Sequence, residues 1–287
     1  MSLPSASELI KKYGLDAKRS LGQNFILDKN YTDKIAKSAL DNNKIDFSKE
    51  IILEVGPGPA TLTRSIAELN PKKLILIEKD QRCIKILEEI KEFYKNIDIE
   101  IINEDALKIN ELEAFRKYLD CNKIKIISNL PYNIGTMLVL KWVKISSIIS
   151  SMTLMLQKEV VDRIVADNND KNYGRISVIL QNYASCKKIF EVNKNIFTPQ
   201  PKVTSAIVKI TPFEKPRFAI DFEILEYVVF KAFNQRRKMI RSSLKDIAFI
   251  NNLNAEETLK KINLDPTLRA ENLTLKEFYE IASNVLK

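Results

Sequence analysis

The fold is decided by residues 53–61, which read Leu-Glu-Val-Gly-Pro-Gly-Pro-Ala-Thr and lie between a strand pattern and a helix pattern. Gly56 and Gly58 let the backbone approach a bound cofactor closely and free the start of the following helix. The stretch departs from the dinucleotide fingerprint G-x-G-x-x-G because Thr61 occupies the third glycine position. Glu78 ends the next strand pattern 22 residues after Gly56, the spacing of a carboxylate that binds ribose hydroxyls. Together these residues predict a site for a nucleoside-containing cofactor, with NAD and S-adenosylmethionine both open.

The sequence around this stretch alternates between short apolar runs and segments with helical spacing. The runs are rich in Ile and Leu and predict strands at residues 50–55, 73–77, 97–102, 123–128, 152–156, 188–192 and 203–210. Apolar residues at helical spacing predict helices at residues 61–69, 81–94, 158–166 and 175–183. Helices between strands indicate a parallel sheet, whereas only a loop separates the last two strands. The pattern predicts an α/β fold whose doubly wound sheet is parallel except for one antiparallel edge strand.

The character of the sequence changes after residue 211. Pro212 and Pro216 interrupt the chain, and the remainder predicts short helices at about 221–235, 238–248, 255–263 and 274–286. We therefore expect a domain with the sheet at residues 1–211 and a small helical domain at residues 212–287.

The composition excludes several classes of protein. The 287 residues carry a net charge of +9, which favours a polyanionic partner because Lys and Arg displace counterions from phosphates. The chain has no His, which excludes imidazole general bases and the commonest zinc ligand. Cys83, Cys121 and Cys186 are too far apart in sequence to indicate a zinc cluster, so no metal is expected. Because no signal-peptide pattern and no apolar run of 18 residues is found, we expect a cytoplasmic protein without membrane attachment.

The most specific motif is Asn129-Leu130-Pro131-Tyr132 at the end of a predicted strand. An aromatic exocyclic amine is a poor nucleophile because its lone pair is delocalised, and two acceptors that hold its N–H groups make it more tetrahedral. The Asn129 side chain can supply one acceptor and the Leu130 carbonyl the other. Pro131 fixes the turn, and Tyr132 offers a ring on which a base can stack. The alternative interpretation is a strand-ending Asn-x-Pro turn with a tyrosine in the core.

Asp105, in the sequence Asn103-Glu104-Asp105-Ala106, follows the third predicted strand. The carboxyl ends of strands line the ligand crevice of an open α/β sheet, where a carboxylate can accept a hydrogen bond from the adenine amine of a cofactor. Acidic turn residues are also common after strands without any ligand, so this motif alone leaves both interpretations open.

The sequence resembles the KsgA family of ribosomal RNA adenine dimethyltransferases over nearly its whole length. The motifs that carry the resemblance are residues 21–26 (Leu-Gly-Gln-Asn-Phe-Ile), 54–58, Glu78, Asp105, 129–132, 173–175 and 197–203 (Phe-Thr-Pro-Gln-Pro-Lys-Val). The resemblance implies a Rossmann-like class I methyltransferase fold and S-adenosylmethionine as methyl donor. It also implies a substrate, two adjacent adenines in a hairpin of small-subunit (16S) ribosomal RNA or a 30S precursor. The chain departs from the family pattern at Pro59-Ala60 and at Ile26, and neither change removes a polar contact.

The resemblance further implies the roles of individual residues. The implied catalytic residues are Asn129, Leu130, Pro131, Tyr132 and Phe197, with Phe197 stacking on the flipped adenine opposite Tyr132. The residues implied to bind the cofactor are Gln23, Asn24, Ile26, Glu54, Gly56, Gly58, Glu78, Asp105, Ala106 and Asn129. Apart from the resemblance, an aromatic ring held by two prolines in a loop is a stiff stacking platform. The alternative for Phe197 is a ring that fills the hydrophobic core.

A cluster of cations without an intervening acid lies at residues 231–245. The whole segment 211–287 has 13 basic and 11 acidic residues, so the cations are concentrated here. We predict that this cluster contacts an RNA backbone through Lys231, Arg236, Arg237, Lys238 and Arg241. The alternative is a solvated helix face whose cations complement the helix dipole.

The sequence leaves functions of several classes open. The first is a monomeric enzyme that dimethylates small-subunit ribosomal RNA, with an additional role in small-subunit biogenesis. Its alternatives are the related large-subunit dimethyltransferase that confers macrolide resistance and a non-catalytic RNA-binding assembly factor. A dinucleotide-dependent oxidoreductase is disfavoured by the missing third glycine and by the motif at 129–132.

Overall fold

The computed structural model describes residues 3–15, 24–41, 46–118 and 123–286. The chain forms two compact units, of which the first comprises Met1–Val161 and Lys187–Pro212 and the second Asp162–Cys186 and Phe213–Lys287. The predicted domain boundary at residue 211 is therefore close to one change of unit, whereas residues 162–186 join the helical unit. Hydrogen bonds explain this assignment, because the side-chain amide of Asn182 donates to the Phe218 carbonyl and accepts the Phe218 N–H.

The described residues form strands and helices in alternation. The strands are β1 (Phe25–Ile26), β2 (Ile51–Val55), β3 (Lys73–Ile77), β4 (Asp98–Ile102), β5 (Ile124–Asn129), β6 (Ile149–Gln157), β7 (Ala184–Val192), β8 (Phe197–Thr198) and β9 (Ser205–Pro212). The helices up to β7 are α1 (Ala6–Lys12), α2 (Lys29–Ser38), α3 (Thr61–Ala67), α4 (Gln81–Phe93), α5 (Glu111–Phe115), α6 (Gly135–Lys144), α7 (Lys158–Ile164) and α8 (Arg175–Tyr183). The helices after β9 are α9 (Phe222–Asn234), α10 (Ile240–Ser243), α11 (Ala255–Lys261) and α12 (Leu275–Ala282).

The main sheet has the strand order β4-β3-β2-β5-β6-β9-β7. Strands β2 to β6 pair in parallel, as in the registers Ile51↔Lys73 and Ile51↔Ile124. Strand β9 runs antiparallel to β6 and lies next to the outermost strand, β7. The predicted α/β class with a mostly parallel sheet is thus confirmed. Every residue of β2 and of β3 is buried, which explains why their sequences are continuous apolar runs rather than alternating ones.

The strand order determines where a ligand-binding crevice forms. Strand β2 pairs with β3 on one side and with β5 on the other, so the helices that follow β2 and β5 diverge at this point of the sheet. A crevice at the carboxyl ends of such strands is where open α/β sheets bind ligands. The segments that follow Val55, Ile77, Ile102 and Asn129 all begin at this edge because their strands are parallel.

A second, two-stranded sheet is absent from the sequence-based prediction. Strand β1 pairs antiparallel with β8, with Phe25 opposite Thr198 and Ile26 opposite Phe197. Both strands have only two residues, too few for any periodicity to be visible in the sequence. The prediction also lacks the helices α1, α2, α5 and α6.

The second unit is helical, as predicted for residues after 212. The rings of Tyr173 and Phe278 both contact that of Phe233, with centroids 5.9 and 5.8 Å from the Phe233 centroid. The helix predicted at 238–248 is reduced to the four residues of α10. The helix begins only at Ile240 because Met239 is extended and forms an antiparallel β-bridge with Arg269. None of the helices in the described residues is long and apolar enough to cross a bilayer.

Candidate active site

The turn after β2 brings backbone close to two neighbouring elements. Gly56 and Gly58 have φ of +70° and +55°, values that favour glycine. The Gly56 N–H donates to the Ile77 carbonyl at 2.8 Å, which ties this turn to the end of β3. A Cβ on Gly58 would lie 3.3 Å from Cε1 of Phe25, so β1 packs directly on the turn. Both glycines are therefore required by the local geometry.

Glu78 holds the same turn with its side chain. Its carboxylate is 6% exposed, and Oε2 accepts the Gly58 N–H at 3.0 Å while Oε1 accepts the Asp80 N–H at 2.8 Å. Burial raises the pKa of Glu78, and these backbone N–H groups oppose the rise. A carboxylate has about four lone-pair positions, so acceptor capacity remains for a ribose.

The turn, Glu78 and the ends of β4 and β5 enclose a cavity of about 170 Å³. The predicted cofactor residues that line it are Asn24, Ile26, Glu54, Gly56, Gly58, Glu78, Asp105, Ala106 and Asn129. Gln23 lies outside the described residues. The cavity is also lined by Thr32, Ile35 and Lys79, which no feature of the local sequence marks as site residues.

Asp105 is fixed at the cavity by two contacts. Its Oδ2 lies 2.8 Å from Nζ of Lys79, and its Oδ1 accepts the Leu107 N–H at 3.0 Å. The hydrogen bond from Lys79 lowers the pKa of Asp105, with the backbone N–H acting in the same direction. Asp105 is thus a charged acceptor at neutral pH, which suits a hydrogen bond from an adenine amine.

Asn129 is the last residue of β5, and its side chain has a defined orientation. Its amide Nδ2 donates to the carbonyl of Asn24 at 3.4 Å, so Oδ1 is the atom that the side chain offers as an acceptor. The next turn is fixed by the Pro131 carbonyl, which accepts the N–H groups of Ile134 and Gly135 at 3.2 and 3.1 Å. Leu130, Pro131 and Tyr132 line the cavity with Asn129, so the motif is brought together as predicted.

Tyr132 is anchored by a residue that the sequence analysis did not identify. Its hydroxyl and that of Ser205 share a hydrogen bond of 2.6 Å, and Ser205 is fully buried on β9. Burial raises the pKa of Tyr132, so the phenol stays neutral. The ring is therefore held from its polar end while it forms part of the cavity wall.

Phe197 is placed differently from the prediction. Its ring is 4% exposed and belongs to the hydrophobic core of the first unit, together with Phe25 and Ile26, and it does not line the cavity. The pairing of β8 with β1 turns the ring inward. The core interpretation of Phe197 therefore describes this structure, and stacking of the ring on a flipped adenine stays a prediction.

The predicted RNA-binding cations lie in the second unit and differ in their partners. Arg236 pairs with Glu271 at 2.8 Å and donates to the Lys171 carbonyl at 2.6 Å. Arg241 pairs with Glu256 at 3.2 Å. Lys231 lies over the ring of Tyr227, 5.5 Å from its centroid.

Arg237 and Lys238 are exposed, and within the described residues neither has an ion-pair partner. Part of the cluster is therefore neutralised by acids from distant positions in the sequence.

Comparisons with known proteins identify the family of this chain. The model of the family described as "Ribosomal RNA adenine dimethylase" matches residues 14–286. The chain belongs to the ribosomal RNA adenine dimethylase family. Curated relatives named "Ribosomal RNA small subunit methyltransferase A" include one from Rhizobium johnstonii, 43% identical over 99% of this chain and 98% of its own. Another, from Agrobacterium fabrum, is 42% identical over 98% of this chain and 97% of its own.

Solved structures support the fold of this family member. A dimethyladenosine transferase from Plasmodium falciparum has a TM-score of 0.73 at 24% identity and covers 90% of this chain and 98% of its own. The 23S rRNA methyltransferase ErmE has a TM-score of 0.64 at 22% identity over 91% and 98% of the two chains. Family membership confirms the predicted family, the methyltransferase activity and the methyl donor, S-adenosylmethionine.

The cavity fits this cationic methyl donor. Glu54 is 1% exposed and lines the cavity, and its Oε2 has no hydrogen-bond partner within the described residues. A buried acceptor of this kind suits a ligand that carries positive charge. A Cβ on Gly56 would lie 3.5 Å from Cδ of Pro131, so this wall of the cavity is closely packed. No group of His, Cys, Asp and Glu in the described parts of the chain could hold a metal ion.

Glu54 generates a pH-dependent prediction. Burial raises its pKa from 4.5 to about 8, so between these values the folded protein without cofactor keeps a proton that the unfolded chain loses. The free energy of unfolding therefore falls as pH rises through this window. We expect Glu54→Gln to remove up to about 1.4 kcal/mol per pH unit of that slope between pH 5.5 and 7.5, measured by urea unfolding.

Glu104→Gln is the matched control, because Glu104 also lines the cavity but is exposed. Its unfolding free energy should follow the wild-type pH dependence. Parallel curves for Glu54→Gln and the wild type would contradict a buried, protonated Glu54.

Proposed function

We propose that this chain uses S-adenosylmethionine to dimethylate the N6 amines of two adjacent adenines in a hairpin of small-subunit (16S) ribosomal RNA. We further propose that it acts on a precursor of the small subunit and contributes to its biogenesis. The observation that carries the proposal is the orientation of Asn129, whose amide nitrogen is held by Asn24 so that its oxygen serves as an acceptor.

The residues of the cavity divide into a cofactor side and a substrate side. Glu78 and Asp105 would bind the ribose hydroxyls and the adenine amine of the cofactor, and Glu54 would face its positive charge. S-adenosylmethionine supplies an electrophilic methyl group when bound. On the substrate side are Asn129 and the turn that follows it.

The substrate side needs acceptors rather than a strong base. Oδ1 of Asn129 and the Leu130 carbonyl would accept the two N–H groups of the target amine, which directs its lone pair outward. The anchored ring of Tyr132 would stack on the unpaired base. The alkylated ammonium is acidic enough to lose its proton to water, which agrees with a chain that has no His.

Small-subunit RNA is favoured over the alternatives by the relatives. The curated relatives with 40–43% identity are named as small-subunit methyltransferases. The 23S rRNA methyltransferase ErmE is only 22% identical, and a likeness at that level indicates a shared fold alone. A purely structural assembly factor would not need Asn129, Glu78 and the glycine turn, and this chain retains all of them.

The direct test is nucleoside analysis after reaction with RNA. The protein is incubated with labelled S-adenosylmethionine and undermethylated small ribosomal subunits, and the RNA is digested and analysed for N6,N6-dimethyladenosine. We expect dimethyladenosine with the wild type and a loss of about 10²-fold or more in rate with Asn129→Ala, because one preorganised acceptor is removed.

Binding of S-adenosylhomocysteine to Asn129→Ala, measured by calorimetry, controls for folding and should weaken only modestly. Large ribosomal subunits serve as the control substrate and should stay unlabelled. Absence of dimethyladenosine with the wild type, or near-normal turnover by Asn129→Ala, would refute the proposal.

RNA contact is proposed for the second unit, with Arg237 and Lys238 as its principal cations. Both are exposed, whereas Arg236 and Arg241 already neutralise Glu271 and Glu256. A cation without an acidic partner gains more from a phosphate, because no ion pair has to be broken.

The difference between cations with and without an acidic partner predicts how RNA binding depends on salt concentration. Replacing both Arg237 and Lys238 by Gln should reduce the slope of log K against log salt concentration by about 1.5, measured by filter binding at several salt concentrations. The matched control is the double variant Lys260→Gln and Lys276→Gln, which removes the same charge from cations paired with Glu256 and Glu280. Equal changes of slope in both double variants would mean that only net charge matters.

A further inference from the structure

An ion pair between a half-buried lysine and a buried carboxylate joins α6 to the segment that follows Asp105. The Glu111 carboxylate, 5% exposed, lies at the start of α5. Its Oε1 accepts the indole N–H of Trp142 at 2.9 Å, and its Oε2 lies 3.0 Å from Nζ of Lys141. A buried carboxylate without partners is costly in free energy. The Glu111 carboxylate therefore keeps the Lys141 ammonium close to it.

The Lys141 ammonium also binds the backbone of this segment. Nζ donates to the carbonyl of Ala106 at 3.0 Å and to the carbonyl of Ile109, and the Leu107 carbonyl lies 3.5 Å away. An ammonium group has three N–H donors, so these oxygens and the Glu111 carboxylate use all of them. Residues 106–108 form a turn, so their carbonyl groups lack the backbone partners that a helix or strand would provide. The Lys141 ammonium donates hydrogen bonds to carbonyls of this segment instead.

The peptide group between Ala106 and Leu107 is held at both ends. Its carbonyl oxygen accepts from Lys141, and its N–H donates to Oδ1 of Asp105 at 3.0 Å. A peptide group is planar, so fixing its oxygen also fixes the direction of its N–H. Lys141 thereby controls the hydrogen bond that orients one oxygen of Asp105, while Lys79 holds the other oxygen at 2.8 Å.

We propose that Lys141 is a positioning residue for the cofactor. Through the peptide between Ala106 and Leu107 it aligns Asp105, and it thereby sets the affinity of the cavity for the adenine ring of the cofactor. This inference rests on the proposed function, in which Asp105 accepts from the adenine amine of S-adenosylmethionine. Lys141 makes no contact with the methyl-transfer centre in this arrangement and acts on binding alone.

The test separates binding from turnover. Lys141→Met keeps the aliphatic stem and removes the ammonium. We expect the Kd for S-adenosylhomocysteine and the KM for S-adenosylmethionine to rise about tenfold, because a charge-assisted contact is lost. We expect kcat at saturating cofactor to stay within about twofold of the wild type, the signature of lost uniform binding.

Further variants exclude a merely structural effect. Lys144→Met removes an exposed lysine one turn along the same helix and should leave Kd and KM unchanged. Lys141→Arg should restore most of the affinity, because a guanidinium can also donate to several carbonyls. If Lys141→Met folds poorly with Glu111 left unpaired, the double variant with Glu111→Gln removes that buried charge and should show the same rise in Kd.

A double-mutant cycle tests whether Lys141 acts through Asp105. If it does, adding Lys141→Met to Asp105→Ala should raise the Kd no further than Asp105→Ala alone. Additive effects, an unchanged Kd in Lys141→Met, or a fall in kcat without a change in KM would overturn the inference. Failure of the wild-type protein to bind S-adenosylhomocysteine would instead contradict the proposed function.

Discussion

The cofactor site depends on the hydrogen bonds that the buried carboxylate of Glu78 accepts. A carboxylate that is 6% exposed needs hydrogen-bond partners, and it finds them in the N–H groups of Gly58 and Asp80. These two bonds fix the glycine turn after β2 and the turn after β3 against each other. The carbonyl of Glu78 also accepts the side-chain amide of Asn103 at 2.7 Å, which adds the turn after β4. One residue thus sets the relative positions of three strand ends.

The catalytic turn is attached to this frame by close packing. The Ser128 hydroxyl donates to the Val55 carbonyl at 2.6 Å, and the ring of Pro131 lies next to Gly56, where a Cβ would be 3.5 Å from its Cδ. Two motifs more than 70 residues apart in sequence therefore touch. Because the glycine turn carries the cofactor side of the cavity and the turn at Pro131 the substrate side, this contact brings methyl donor and acceptor amine together. The α6 helix begins directly after the second turn and extends the same frame to the Asp105 segment through its lysine at position 141.

The sequence predicts the polar centre of the site well, because parallel strands place all their carboxyl ends at one edge of a sheet. Glu78, Asp105 and Asn129 follow from that rule. The rule says nothing about the two-residue strands β1 and β8, which are too short to show a periodicity, so it could not decide between the core and the cavity for the ring of Phe197. Contacts between residues far apart in sequence, such as Arg236 with Glu271, leave no local pattern either.

We expect the cavity organised by Glu78 to bind the cofactor without rearrangement. The most direct measurement is a crystal structure of the protein with S-adenosylhomocysteine. We expect both ribose hydroxyls on the Glu78 carboxylate, the adenine amine on Asp105, and the hydrogen bond from the Gly58 N–H to Glu78 retained. A ligand bound elsewhere, or a glycine turn detached from Glu78 in the complex, would contradict the account.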